Sequence, residues 1–133
     1  MKNLKNKKVL ITGGARGIGK QIALEFARHG SDIIICDVDK SFFDQNEFEN
    51  NVKDIKSLGV LCFGYYLDIT KFDDIIEARK HILNEVGEID ILVNNAGIVC
   101  GGDFLKVPIE KHRLTYDVNT QGIINMVYVF LQD

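Results

Sequence analysis

Four glycines fall within seven residues, Gly13-Gly14-Ala15-Arg16-Gly17-Ile18-Gly19, between the apolar run Val9-Leu10-Ile11 and a helical pattern of Ile18, Ile22 and Phe26. A buried strand that passes through a glycine turn into an amphipathic helix is the first part of a βαβ unit, and such a unit cannot cover both faces of its own strand. The rest of the chain must therefore supply neighbouring strands and helices for both faces of a sheet.

It does so at regular spacing. Gly30 stands just past the first helix, and Ile33-Ile34-Ile35 reads as a second strand. Phe48, Val52 and Ile55 give the next helix its stripe, and Gly59 ends it before a strand around Val60 to Tyr66. Thr70 with Asp73 resembles a capping box for a helix marked by Phe72, Ile75, Ile76, Leu83 and Val86 and closed by Gly87. A fourth strand at Ile89, Ile91, Leu92 and Val93 runs into the polar turn Asn94-Asn95-Ala96-Gly97. After a loop to about Val107, Pro108 suits the first turn of a last helix carrying Ile109, Val118, Ile123, Val127 and Phe130. The pattern predicts an α/β fold, a doubly wound parallel sheet of about four strands with right-handed crossovers, in one domain over residues 1–133.

Composition removes several classes of function. With 46% hydrophobic and 26% charged residues, the 133-residue chain has the mix of a soluble globular domain. A net charge of −3 with scattered Lys and Arg leaves no track for a nucleic-acid backbone. Lys2, Lys5, Lys7 and Lys8 precede only a five-residue strand, too short for a signal peptide, and read as a solvated arm. Cys36, Cys62 and Cys100 are odd in number and lack metal-site spacing, which points to small buried hydrophobes in a reducing cytoplasm.

The glycine turn is where backbone N–H groups and the positive end of a helix converge, an arrangement that favours phosphate. Glycine is needed where a side chain would hold a pyrophosphate off the backbone or where φ is positive. The spacing Thr12-Gly13-x-x-x-Gly17-x-Gly19 departs from GxGxxG, while Gly14 to Lys20 matches GxxxxGK, the body of a P-loop. Gln21 stands where a P-loop holds magnesium with Ser or Thr, so a phosphotransferase is the runner-up. A turn that serves geometry alone is the bland alternative.

Asp37 ends the second strand 18 residues after Gly19, near the spacing at which an acidic residue meets the adenosine ribose of a dinucleotide. Its carboxylate accepts from a 2′-hydroxyl and repels a 2′-phosphate, which favours NAD over NADP. Arg16 dissents, since a guanidinium beside the turn can pair with a 2′-phosphate. Asp68, in Leu67-Asp68-Ile69-Thr70, ends the third strand at the same edge, where it accepts from an adenine amino group or serves as a turn carboxylate.

Together these residues resemble the short-chain dehydrogenase/reductase family across essentially the whole chain: Thr12 to Gly19, Asp37, Leu67 to Thr70, Asn94 to Gly97, and Asp117-Val118-Asn119-Thr120. The resemblance implies a Rossmann-like fold, a nicotinamide cofactor and hydride transfer at an alcohol or carbonyl carbon of a small molecule. It implies that Thr12, Gly13, Arg16, Gly17, Ile18 and Gly19 surround the pyrophosphate turn. Asp37 then selects NAD, Asp68 and Ile69 border adenine, and Asn95, Ala96 and Gly97 line the cofactor. Asn119 would belong to the catalytic set, its helix carbonyl holding a water of the proton relay; the bland alternative is a surface amide in a bent helix.

The same resemblance implies a catalytic Ser, a Tyr and a Lys four residues after the Tyr. Tyr65, Tyr66 and Tyr116 have no Lys four residues on, Tyr128 is followed by Gln132, and no Ser follows Asn119. The expectation is a cofactor-binding portion of a larger enzyme, inactive alone. Its fourth strand would be an open edge, and its last helix, with Ile123, Val127 and Phe130, would face either the core or a second subunit. Three functions follow: the cofactor half of an NAD-dependent oxidoreductase, a non-catalytic nucleotide-binding or interaction module, and the P-loop phosphotransferase.

Overall fold

The computed structural model describes residues 3–132. Four parallel strands form one sheet in the order β3-β2-β1-β4: β1 Lys8–Thr12, β2 Asp32–Asp37, β3 Cys62–Tyr66 and β4 Ile91–Val93. Val9 pairs with Ile33 on one side and Ile91 on the other, so the ends of the apolar runs share one edge. The expected doubly wound α/β architecture is present. Successive residues of a strand point to opposite faces. Val9, Ile11, Ile33 and Ile35 accordingly pack with Ala23, Leu24 and Ala27 of helix α1 (Gly17–Arg28). Leu10 and Ile34 face the other way, against Ile75 and Ile82 of helix α4 (Phe72–Glu85) and Met126 and Val129 of helix α6 (Gly122–Phe130).

Between β2 and β3 the expected helix is broken. A 3₁₀ turn at Lys40–Phe43 is followed by two single turns, α2 (Phe48–Asn51) and α3 (Lys53–Lys56), hinged at the fully buried Val52, which leaves helical geometry at φ −107° and ψ 9°. What holds this segment is aromatic packing: Phe42, Phe43 and Phe48 form a cluster with ring centroids 5.1 to 6.2 Å apart, laid over Gly64 of β3.

Helix α4 (Phe72–Glu85) has no side-chain cap at its start, Lys71. Thr70 does not form the expected box with Asp73, because its hydroxyl and N–H both bond to Asp68 Oδ1, at 2.7 and 2.9 Å. The last helix is three pieces: α5 (Ile109–Tyr116), a π-turn at Asp117–Gln121, and α6 (Gly122–Phe130). Ile123, Val127 and Phe130 are half-buried flanks of α6. The buried line is Gly122, Asn125, Met126 and Val129, and Ile124, Tyr128 and Leu131 face outward.

The first helix shows a similar displacement. Its inward positions are Gly19, Ala23, Leu24 and Ala27, while Ile18 is 76% exposed. Of the basic run read as a solvated arm, Lys2 lies outside the described residues. Lys8 opens β1 and Lys7 pairs with Asp90 at 3.4 Å; the backbone of residues 6 and 7 is stitched to Gly30 and Asp32. Cys36 and Cys62 are buried free thiols, whereas Cys100 is only half-buried.

Candidate functional site

Because all four strands run the same way, Thr12, Asp37, Asp68 and Asn95 come to one edge from four separate stretches of chain. The turn after β1 is stitched to β2 by Gly13 N–H donating to the Cys36 carbonyl at 2.8 Å. Gly13 and Gly17 have φ of +67° and +59°, the left-handed region that glycine enters without a steric cost. A Cβ on Gly17 would meet no protein atom within 4 Å, so at this position open space lies beside the backbone. A Cβ on Gly19 would instead overlap the Gly13 carbonyl oxygen, so that glycine keeps α1 tight against the turn. Arg16 caps α1 in extended geometry without a side-chain cap bond, which leaves the first-turn amides free of internal side-chain partners.

The floor is tied to β4 through Thr12, whose buried hydroxyl accepts from Asn95 N–H at 3.1 Å and Ala96 N–H at 3.0 Å. Asn95 replies with its amide, which donates to the carbonyls of Thr12 and Gly13, both at 3.1 Å. Asn94 Oδ1 next to it is buried and has no hydrogen-bond partner among the described residues.

A cleft of about 480 Å³ opens above this floor. Thr12, Gly13, Arg16, Ile18, Gly19, Asp37, Asp68, Ile69, Asn95, Ala96 and Gly97 line it, together with Val38, Leu67, Ile98 and Val118, which sequence reasoning did not single out as site residues. Gly17 and Asn119 are not among its walls. Asn119 lies on the π-turn, half-buried, and is not the surface amide of the bland alternative. Its amide straps the loop after β4, accepting from Ile98 N–H at 2.8 Å and donating to the Ile98 carbonyl at 2.7 Å. A second cleft, of about 560 Å³, lies beside α2 and α3; Lys20 lines it and pairs with Asp54 at 3.2 Å.

At the far end, Asp37 accepts Ala15 N–H with Oδ2 and Asp39 N–H with Oδ1, both at 3.1 Å, so its rotamer is fixed by two backbone donors. Asp39 was missed from sequence, and it is the residue that engages Arg16, at 2.7 Å. A hydrogen bond from the Ser41 hydroxyl holds the Asp39 carboxyl below its usual range against the opposing effect of desolvation, and the nearby Arg16 guanidinium adds a lesser pull in the same direction. Asp68 uses Oδ1 for both bonds from Thr70, the turn role weighed for it, while its side chain still borders the cleft. Burial, with Asp37 adjacent, pushes the Cys36 thiol up to about 12, which makes it inert at neutral pH.

Among the described residues no three His, Cys, Asp or Glu converge as a metal site, and no helix is long and apolar enough to cross a membrane. Comparison with known proteins bears on the same edge and sheet. The oxidoreductase UcpA of Salmonella typhimurium is 34% identical over all 133 residues, which span 48% of its length. A blue fluorescent protein from a metagenomic library, solved in complex with NADPH, superposes with a TM-score of 0.84 at 27% identity, covering 98% of this chain and 52% of that one. A short-chain dehydrogenase/reductase from Burkholderia phymatum, in complex with NAD, gives 0.85 at 24% identity, with 98% and 45% covered, a likeness of fold. The chain thus spans about half the length of these proteins. The family profile described as short chain dehydrogenase runs over residues 7–133, through the glycine turn and every strand of the sheet, and the chain belongs to that family.

Proposed function

We propose that residues 1–133 form the nicotinamide-nucleotide-binding portion of an oxidoreductase that moves hydride between NAD and a small alcohol or carbonyl compound. The observation that carries this reading is the convergence, in one cleft, of an open glycine turn at the start of α1 and a fixed carboxylate at the end of β2. The fit is physical. Free amides of the turn suit a pyrophosphate, and open space at Gly17 lets a ligand approach the backbone. In this reading each Asp37 oxygen keeps a lone pair for a ribose hydroxyl after accepting its backbone donor. Asp68 and Ile69 border adenine, and Asn95, Ala96 and Gly97 lie along the cofactor's path.

Bound there, the nicotinamide ring would give or take the hydride. The chain's own residues bind and orient. Asn119, committed to Ile98 by both ends of its amide, holds the loop after β4 against the π-turn. A π-turn breaks the regular i→i−4 pairing, which supports the expectation that a helix carbonyl here takes a water of the proton relay. Turnover in this reading requires the Ser, Tyr and Lys that the family resemblance implies and that residues 1–133 do not contain. The outward Ile124, Tyr128 and Leu131 support self-association through the last helix.

NAD is preferred because both acidic groups at the ribose end are committed against a phosphate. Asp37 is fixed toward the cleft, and Arg16, among the described residues the one basic group that lines it, is engaged by Asp39. Lys20, the residue that would serve a P-loop, pairs with Asp54 in the neighbouring cleft, which weighs against the phosphotransferase reading. Calorimetric titration of the chain with NADH, NADPH and magnesium-ATP tests all three. NADH should bind most tightly; equal NADH and NADPH affinities refute the preference, and magnesium-dependent ATP binding without NADH binding refutes the family of ligands.

A further inference from the structure

Asn125 is the one strongly buried amide side chain of the last helix, and it is spent on the wall of the cleft. It is only 7% exposed, and its Nδ2 donates to the Ile69 carbonyl at 3.0 Å, 56 residues away in sequence. Gln121 Nε2 donates to Asn125 Oδ1 at 3.0 Å, which fixes the orientation of the amide so that its own N–H groups face Ile69. One turn earlier, a Cβ on Gly122 would come within 2.5 Å of Ile69 Cδ1, so α6 touches this residue through the absence of a side chain. Ile69 and its neighbour Asp68 line the cleft directly. Asp68 is braced by Thr70 through Oδ1 alone, and neither of those bonds uses Oδ2.

We propose that Asn125 and Gly122 are positioning residues that set the depth and angle of the Asp68–Ile69 wall, and that through it they set the selectivity of the cleft for a purine carrying a 6-amino group. The inference rests on the reading of Asp68 as the adenine acceptor. An apolar side chain at position 125 would satisfy the core equally well but would leave the Ile69 carbonyl unheld. Asp68 is held from its own turn only, so the place where its second oxygen stands depends on how far the following residue is drawn toward α6.

A buried Asn serving only stability would, when replaced, weaken every ligand alike. A positioning role is confined to the base, so two nucleotides that differ only there separate the two. ADP offers a 6-amino group, and inosine diphosphate offers a 6-oxo group in its place. The full chain is titrated calorimetrically with each. The native protein should prefer ADP by about tenfold or more, the value of one hydrogen bond to a carboxylate. In Asn125→Leu the preference should fall below about threefold while inosine diphosphate affinity stays within about twofold of native. Gly122→Ala should do the same by pushing Ile69 off α6: its added methyl overlaps the Ile69 side chain and only presses on the Asp117 carbonyl oxygen, at 3.3 Å, so it decides the matter should Asn125→Leu fail to fold. Variants that are folded by circular dichroism and keep the native ADP preference overturn the inference and leave the Asp68 reading standing. A native protein that binds both nucleotides equally overturns the Asp68 reading, and the inference with it.

Discussion

Replacing Thr12 by Val isolates the contact that joins the floor of the cleft to β4. The side chain is 1% exposed, and its oxygen accepts from Asn95 N–H at 3.1 Å and Ala96 N–H at 3.0 Å, while its own O–H reaches the Val93 carbonyl only at 3.4 Å. Valine keeps the shape and removes the acceptor. Asn95 N–H retains a second partner in the Val93 carbonyl at 3.1 Å, so one donor, Ala96 N–H, is stranded. A stranded, part-buried N–H costs about 1–3 kcal/mol, and weakening of the shared donor brings the expected loss to about 2 kcal/mol. For a domain of this length that corresponds to a fall in Tm of roughly 6–10 °C. Thr12→Ser keeps the hydroxyl and loses one buried methyl, about 1 kcal/mol. Urea denaturation of the three proteins, with m-values compared to exclude a change in the unfolded state, supplies the measurement. Should the Val variant be as stable as the Ser variant or more so, the hydroxyl is not what holds the turn, and the packing of Thr12 is.

The two glycines of the turn should fail differently. Gly17→Ala should cost about 1–2 kcal/mol for its positive φ yet weaken NADH binding by tenfold or more, because the methyl enters open space beside the backbone. Gly19→Ala, whose methyl would overlap the Gly13 carbonyl, should cost about 3 kcal/mol or more by thermal melting. Asp39→Asn should release Arg16 and raise NADPH affinity relative to NADH in a fluorescence titration; an unchanged ratio would show that the ion pair plays no part in cofactor choice. Asp90 carries a carboxyl held below its ordinary 3.8 first by Lys8 N–H and then by Lys7, with desolvation opposing. A lowered folded pKa stabilises above the unfolded value and is lost as pH falls through the folded one. Asp90→Asn should therefore be less stable than native at pH 7, and the gap should close on acidification below the ordinary carboxylate range; a gap constant with pH would assign the effect to shape rather than charge.

Much of this architecture is legible because apolar runs and glycines act locally. Val9-Leu10-Ile11 and Ile33-Ile34-Ile35 are fully buried strands, the glycine turn lies between strand and helix, and Asp37 ends β2 in the cleft, each as its own stretch of sequence foretells. The misreadings share a cause: a periodicity scan counts large apolar side chains, and contact faces here are made of small ones. Gly19, Ala23 and Ala27 put α1 against the sheet, whereas the larger Ile18 points into solvent and the cleft. Asp39 escaped because its partner, Arg16, lies 23 residues away on a turn whose backbone only the folded sheet brings near.

The last helix extends the same lesson to polar residues. Its inward line runs through His112, Thr115, Asn119, Gly122 and Asn125 before it reaches Met126 and Val129, so the apolar count selected the flanks Ile123, Val127 and Phe130 instead. Three of those polar groups meet carbonyls of two loops: His112 Nε2 lies 3.0 Å from the Phe104 carbonyl and Asn119 Nδ2 2.7 Å from that of Ile98, both on the loop after β4, and Asn125 Nδ2 lies 3.0 Å from that of Ile69. Loop carbonyls near a sheet edge have no ladder partner, and burying them unpaired is costly. A helix that gave this face to leucines would bury more apolar surface and leave those carbonyls unanswered. The helix thus trades core area for control over two loops that wall the cleft, those carrying Ile69 and Ile98, and such a trade is visible only where loops 21 and 56 residues away are already in place.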